Sequence, residues 1–155
     1  ADPALDSEGL PRQGVGVVAW SPDERFIATK HDGMPTAVWV WDLGRLALAA
    51  LLIHRTPVRS VSWDPRGGLH GGSPRLALTT AVDPLVFFWS PEAVRVVSSP
   101  IPALDLQWRG DGQALLLQDR DCACVCWTMT PPSWQHNSAT AERGEEAAHG
   151  HPKVA

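Results

Sequence analysis

The hydrophobic pattern of this chain runs with a period of two over short stretches and nowhere sustains a helical one. Alternating or β-branched residues fill Gly16 to Ser21, Arg25 to Thr29, Ala37 to Leu43 and Leu46 to His54, each of strand length. Between them lie SPDE, HDGMP and RTP, where proline pre-sets φ and aspartate bonds to its own backbone, both turn-forming features. Proline and glycine interrupt nearly every window long enough to be helical. The pattern therefore predicts four short antiparallel strands within the first 54 residues.

That unit returns. VVAWSPDERFIAT at residues 17–29 comes back as SVSWDPRGG and more faintly as DLQWRGDGQALLL, so that Trp20, Trp63 and Trp108 recur at intervals of 43 and 45 residues. A second series follows in phase: VWVWDL at Trp41, VFFWSP at Trp89 and CVCWTM at Trp127. A period of about 40–45 residues holding four strands and closing on Trp-Asp is the mark of a propeller blade. The expected fold class is all-β, a fragment of about three four-stranded blades at 14–54, 55–98 and 99–129. The last lacks its fourth strand. A flexible segment (1–13) and a disordered tail (130–155), rich in Ala, Glu and Gly, are expected to flank them. Three blades build only part of a ring, since propellers close with about four to eight. The simplest expectation is a C-terminal piece of a longer protein, whose remaining blades would cover otherwise exposed sheet edges and faces.

Within TAVWVWDL, alternation projects Trp39 and Trp41 from one side of the strand and Val38, Val40 and Asp42 from the other. Blades pack both faces against neighbours, and large rings suit the widening gap between them. Trp20, Trp39, Trp41, Trp63, Trp108 and Trp127 are accordingly expected to be blade core, each indole N–H needing an acceptor.

Composition narrows the function. The chain has 155 residues, 44% of them hydrophobic, and a formal net charge of -4. No Lys/Arg cluster offers an electrostatic footprint for nucleic acid. The longest apolar run, Leu46 to Ile53, is strand-sized and far below a membrane span. The start shows no basic-then-apolar secretory pattern. Three cysteines, all in CACVC, make no disulfide framework, and a reducing cytosolic compartment fits. No nucleic-acid, membrane or cofactor role is expected.

The middle unit, HRTPVRSVSWDPRGG…RLALTTAVDPLVFFWS, resembles the WD-repeat β-propellers, whose pattern is a His at the entry turn, a Val-x-x-Val strand, a Ser-Pro-like turn and a final Trp-Asp. The resemblance implies a hydrogen-bonded structural tetrad of His54, Thr79 or Thr80, Asp83 and Trp89. A catalytic His-Asp pair lacks an accompanying nucleophile at a repeat-specified position, so no enzyme is expected. The chain departs from the family at Ile53, where Gly is usual, and at Ser90 in place of the Asp of Trp-Asp. The first unit has no leading His. The third keeps Asp121 six residues before Trp127 but ends Trp-Thr.

Over residues 14–129, the segments VAWSPDERFIATKHDGMPTAVWVWDL, TPVRSVSWDP and VFFWSP resemble the C-terminal blades of the WRAP-type WD-repeat proteins of spindle poles and centriolar satellites. What this resemblance implies is a non-enzymatic scaffold in the cytoplasm and cytoskeleton, acting at centrosomes with a microtubule-anchoring adaptor in spindle assembly and ciliary-base formation. A generic WD-repeat adaptor, such as a ubiquitin-ligase substrate receptor or peptide reader, shares the same core and is the alternative, as is a truncated form without activity of its own.

Loops on a rigid scaffold carry function more often than strands do. In KHDGMPT (30–36), Asp32 precedes Trp41 by nine residues rather than six; DPRGGLHGGSPR (64–75) is irregular as well. Arg25, Lys30, His31 and Met34 are the candidate partner contacts, with Arg55 and Arg59 second. Charge reversal at Arg25 and Lys30 is expected to weaken capture without unfolding. Cys122, Cys124 and Cys126 share one strand face and read as apolar core rather than as metal ligands. His149 and His151, with His136, offer at most weak metal binding. Ser-Pro pairs at Ser21, Ser73, Ser90 and Ser99 read as turns before they read as phosphorylation sites.

Overall fold

The computed structural model describes residues 14–69, 72–80 and 82–127. The expected flanking segments, 1–13 and 130–155, with the tail histidines, lie outside these residues. Among them the chain forms β1 (Val15–Trp20), β2 (Phe26–His31), β3 (Ala37–Asp42), β4 (Ala47–Ile53), β5 (Val58–Trp63), β6 (Leu76–Thr80), β7 (Leu85–Trp89), β8 (Val94–Ser98), β9 (Asp105–Trp108), β10 (Ala114–Gln118) and β11 (Ala123–Trp127). They pair as antiparallel meanders, β1-β2-β3-β4, β5-β6-β7-β8 and β9-β10-β11. The expected all-β fold and the expected count of 4, 4 and 3 strands are both present. The opening strand β5 adjoins both β1 and β9, so the sheets follow one another around a shared inner edge.

Two cores hold the sheets together. Between the first and second lie Phe26, Ala28, Val38, Val40, Val58, Trp63, Leu76, Leu78 and Trp89. Between the second and third lie Ala77, Val86, Ala103, Leu106, Leu115 and Leu117. Burial of each large apolar side chain contributes about 1.5–3 kcal/mol. Phe26, Trp63 and Trp89 also meet as rings, with centroids 5.5–6.3 Å apart, a spacing that adds to simple area burial.

The tryptophan expectation needs correction. Trp63 and Trp89 are buried and Trp108 packs half-buried on the second core. Trp20, Trp41 and Trp127 are exposed, and Trp39 is half-exposed. Alternation separates the two sides as expected, but among the described residues only one is covered: Val38, Val40 and Asp42 turn toward the second blade, so Trp39 and Trp41 occupy the face with no described sheet against it. Trp127, beside Cys126 of the inner face, points outward at the far end. Asp42 is buried instead, receiving the Arg45 amide at 3.1 Å and Arg25 Nη2 at 3.2 Å. Burial pushes its carboxyl up, but the Arg45 and Gly44 amides and the Arg25 guanidinium outweigh this and hold it below the usual range.

Candidate functional site

Up-and-down connectivity divides the loops between two rims. One rim carries the β1–β2, β3–β4 and β5–β6 turns. The other carries the β2–β3 loop and the β4–β5 connection, which lie side by side: the His54 amide donates to the Thr36 carbonyl and the Val58 amide to the Pro35 carbonyl, each at 2.8 Å. Five of the six predicted partner contacts meet there. Met34 is exposed in the loop, Arg55 is exposed in the connection, and Arg59 is exposed on β5. Arg59 owes its outward aim to a register shift between Val58 and Ser60, since the extra residue of a bulge leaves the ladder. Among the described residues neither Arg55 nor Arg59 enters an ion pair.

The other three contacts differ from expectation. Lys30 is half-buried and donates Nζ to the Val58 carbonyl at 3.0 Å. His31 is half-buried, its Nδ1 accepting the Gly33 amide at 3.0 Å. Arg25 stands on the opposite rim, paired with buried Asp42 and over the Phe26 ring at 4.9 Å. Charge reversal at Arg25 and Lys30 would therefore disturb packing as well as any contact. Arg55 and Arg59 are the cleaner pair.

The structure does not assemble the tetrad as drawn. Asp83 accepts Thr56 at 3.1 Å and Thr80 at 3.4 Å, so of the two threonines it is Thr80 that reaches the acid. Thr79 pairs in register with Ser60 and Val86, on the sheet face opposite Leu78 and Phe87. His54 packs edge-on against Phe87 with centroids 4.6 Å apart. Its Nε2 and the Thr79 hydroxyl are buried without a hydrogen-bond partner among the described residues, and burial pushes the imidazole below its ordinary value. Trp89 joins Phe26 and Trp63. A single alternation step separates Thr79 from Thr80, and it places them on opposite faces.

Sequence reading missed a bridge on the other rim. Asp64 is buried and receives both Nε and Nη2 of Arg75, the former at 2.8 Å, while Arg75 Nη2 also reaches the Gly112 carbonyl at 3.1 Å. Arg75 thereby links the second and third blades. A side chain at Gly112, where φ is +68°, would meet the Asp64 carboxylate; at Gly68, where φ is +81°, it would meet Asp23. Each acid thus nests against the turn glycine of the following blade. Asp64 and Gly112 sit at repeat-related turns, the one signal that marked them.

Cys124 and Cys126 face the second core half-buried, whereas Cys122 precedes β11 and is exposed. Burial, reinforced by Cys124, pushes the Cys126 thiol up to about 11. Three of the four Ser-Pro hydroxyls serve their own turns, and Ser73 reaches further along the chain. Ser21 Oγ donates to Asp23 and accepts the Phe26 amide, and Ser73 donates to Glu92. Ser90 and Ser99 accept the Ala93 and Ile101 amides.

No protein-family model matches the chain. It is 40% identical over 124 residues to the WD repeat-containing protein WRAP73 of Mus musculus, an alignment spanning 77% of this chain and 25% of that protein. It is 26% identical over 176 residues to the transducin beta-like protein 3 of Bos taurus, spanning 83% of this chain and 22% of the relative. The chain thus covers about a quarter of the curated relatives it matches. A chain in a crystal structure of the mitotic checkpoint complex superposes with a TM-score of 0.53 at 19% identity, covering 73% of this chain and 37% of its own, a likeness of fold alone. Radial sheets of four, four and three strands, the repeating Trp turns and the WRAP73 alignment together place this chain in the WD-repeat β-propeller family, with a resemblance to WRAP73.

Proposed function

We propose that this chain is a non-enzymatic protein-interaction scaffold, part of a centrosome and spindle-pole WD-repeat protein that acts with a microtubule-anchoring adaptor in spindle assembly and ciliary-base formation. The observation that carries this reading is the 40% identity to WRAP73 over 77% of this chain, joined to the MPTAVWVWD and WSP segments that resemble WRAP-type proteins. The docking surface is the rim of Met34, Arg55 and Arg59. Two guanidinium groups with no ion pair among the described residues, beside an exposed thioether, suit a partner segment that combines carboxylates with an apolar side chain, because opposed charge steers encounter and the apolar anchor supplies area. The remaining blades of a longer chain would complete the scaffold.

A generic WD-repeat adaptor is the second reading, favoured by the match to transducin beta-like protein 3 over 83% of the chain. Quantitative imaging of the tagged chain in dividing cells separates the two. Enrichment at spindle poles, lost in Arg55→Glu/Arg59→Glu with an unchanged circular dichroism spectrum, is the expected result. A diffuse signal, with ligase subunits co-precipitating, would support the alternative; a diffuse signal with no partner would mark a form without activity of its own.

A further inference from the structure

Four serines precede proline, Ser21, Ser73, Ser90 and Ser99, and the fold holds one of them differently from the rest. The Ser21 amide donates to the Phe26 carbonyl, the Ser90 amide to the Ala93 carbonyl and the Ser99 amide to the Pro84 carbonyl. Each of these three hydroxyls also accepts a main-chain amide, from Phe26, Ala93 and Ile101 respectively. Ser21 is in addition only 2% exposed. Backbone and side chain alike are committed at these three positions, as expected of residues that close turns.

Ser73 is exposed, in a stretch of the β5–β6 loop (72–75) that forms neither strand nor turn. Among the described residues its amide and carbonyl make no main-chain hydrogen bond. Its hydroxyl donates to Glu92 Oε2 at 2.5 Å, which latches the β5–β6 loop to the exposed β7–β8 turn. That hydroxyl, ahead of the one on Ser90, holds the Glu92 carboxyl below its usual range. An enzyme cleft that grips the chain on both sides of a hydroxyl needs amides and carbonyls that are not already spent. Ser73 is the Ser-Pro site that offers them.

We propose that Ser73 is a phosphorylation site for a proline-directed protein kinase, and that the phosphate opens the latch between the β5–β6 loop and the β7–β8 turn. The γ-phosphoryl group of ATP passes to Ser73 Oγ: the Oγ–P bond forms, the bond to the ADP oxygen breaks, and the hydroxyl proton leaves to the kinase's base. The product carries about two negative charges where a donor stood. Ser73 then cannot donate to Glu92, and like charges face each other across the former hydrogen bond. Pro74 is buried, close enough to Gly67 that an added side chain there would meet Pro74 Cα at 3.1 Å. Presenting the site therefore requires the loop to lift at that ring, a local opening that the Glu92 bond opposes. The site lies on the rim opposite Met34, Arg55 and Arg59 and does not rest on the partner reading above.

Incubating the folded 155-residue chain with a cyclin-dependent kinase and ATP, then mapping the phosphopeptides over time, tests the proposal; a circular dichroism spectrum confirms the fold beforehand. Ser73 should take phosphate about tenfold faster than Ser21, Ser90 or Ser99, which must first break one or two main-chain hydrogen bonds. Glu92→Ala, at an exposed position, removes the latch and should speed labelling of Ser73 by about two- to fivefold, with no change at Ser21 or Ser99. Trypsin should cut the phosphorylated chain after Arg66, exposed in the same loop, at least about twofold faster than the unmodified chain. Absence of phosphate at Ser73, equal labelling of the four serines, or a rate unmoved by Glu92→Ala would overturn the assignment. Unchanged cleavage after Arg66 would overturn the opening of the latch.

Discussion

Trp63 donates its indole N–H to the carbonyl of Ala19 at 2.9 Å, from a residue 44 positions further along the chain. The bond crosses the seam between the first two sheets, and it recurs one blade later from Trp108 to Ser62. Trp63→Phe keeps much of the ring and removes the donor. Loss of the hydrogen bond and part of the packing should cost about 1–3 kcal/mol, read as a lower urea midpoint with an unchanged slope. An unchanged midpoint would mean that the seam depends on area alone.

Gly112 takes φ of +68° directly against the Asp64 carboxylate, while Glu24, at the matching place in the first blade's turn, takes φ of +58° with a side chain in place. Gly112→Ala should destabilise by about 1–3 kcal/mol through a strained backbone and a displaced acid. Glu24→Gly should stabilise by about 0.5–1 kcal/mol, because the left-handed conformation costs a non-glycine residue about 1–2 kcal/mol and glycine's added chain entropy offsets part of that gain. Thermal unfolding of the pair checks both signs. Movement in the same direction would refute the turn equivalence.

His54 is depressed below its ordinary 6.5 by burial, so the unfolded chain binds the proton more readily than the folded one. Stability from this group is present above pH 6.5 and is lost as the pH falls below it. The transition temperature should therefore fall between pH 7 and pH 5, with a shallower fall in His54→Gln. Parallel profiles for the two proteins would show that other groups set the acid sensitivity.

Cys126, with its thiol pushed up to about 11, should resist alkylation, since the thiolate is the nucleophile. Brief iodoacetamide treatment at pH 8 followed by peptide mass analysis should label exposed Cys122 first and Cys126 last. Equal labelling would place β11 off the second core.

Much of the architecture was legible in the chain. Period-two patterning and proline-bearing turns located β1 to β4 within two residues at their ends, because both signals depend on near neighbours. The WD-repeat resemblance gave the family but not the hydrogen bonding of the middle blade, where Thr80 and not Thr79 reaches Asp83, and the rim that gathers Met34, Arg55 and Arg59 was half visible as an irregular loop. Arg25 parts from the other contacts because it precedes β2 while Lys30 lies near that strand's far end, and the length of the strand carries the two to opposite rims.

The sequence by itself determined the three-unit repeat, the strands and their alternation, since these follow from residue-level propensity and local turn chemistry. Only the tertiary structure decided which of two faces is covered. Alternation separates Trp39 and Trp41 from Val38 and Val40 without saying which side receives the next sheet. It likewise separates Thr79 from Thr80 without saying which one Asp83 meets. Burial is a property of the neighbour, and that neighbour lies some forty residues away in the chain.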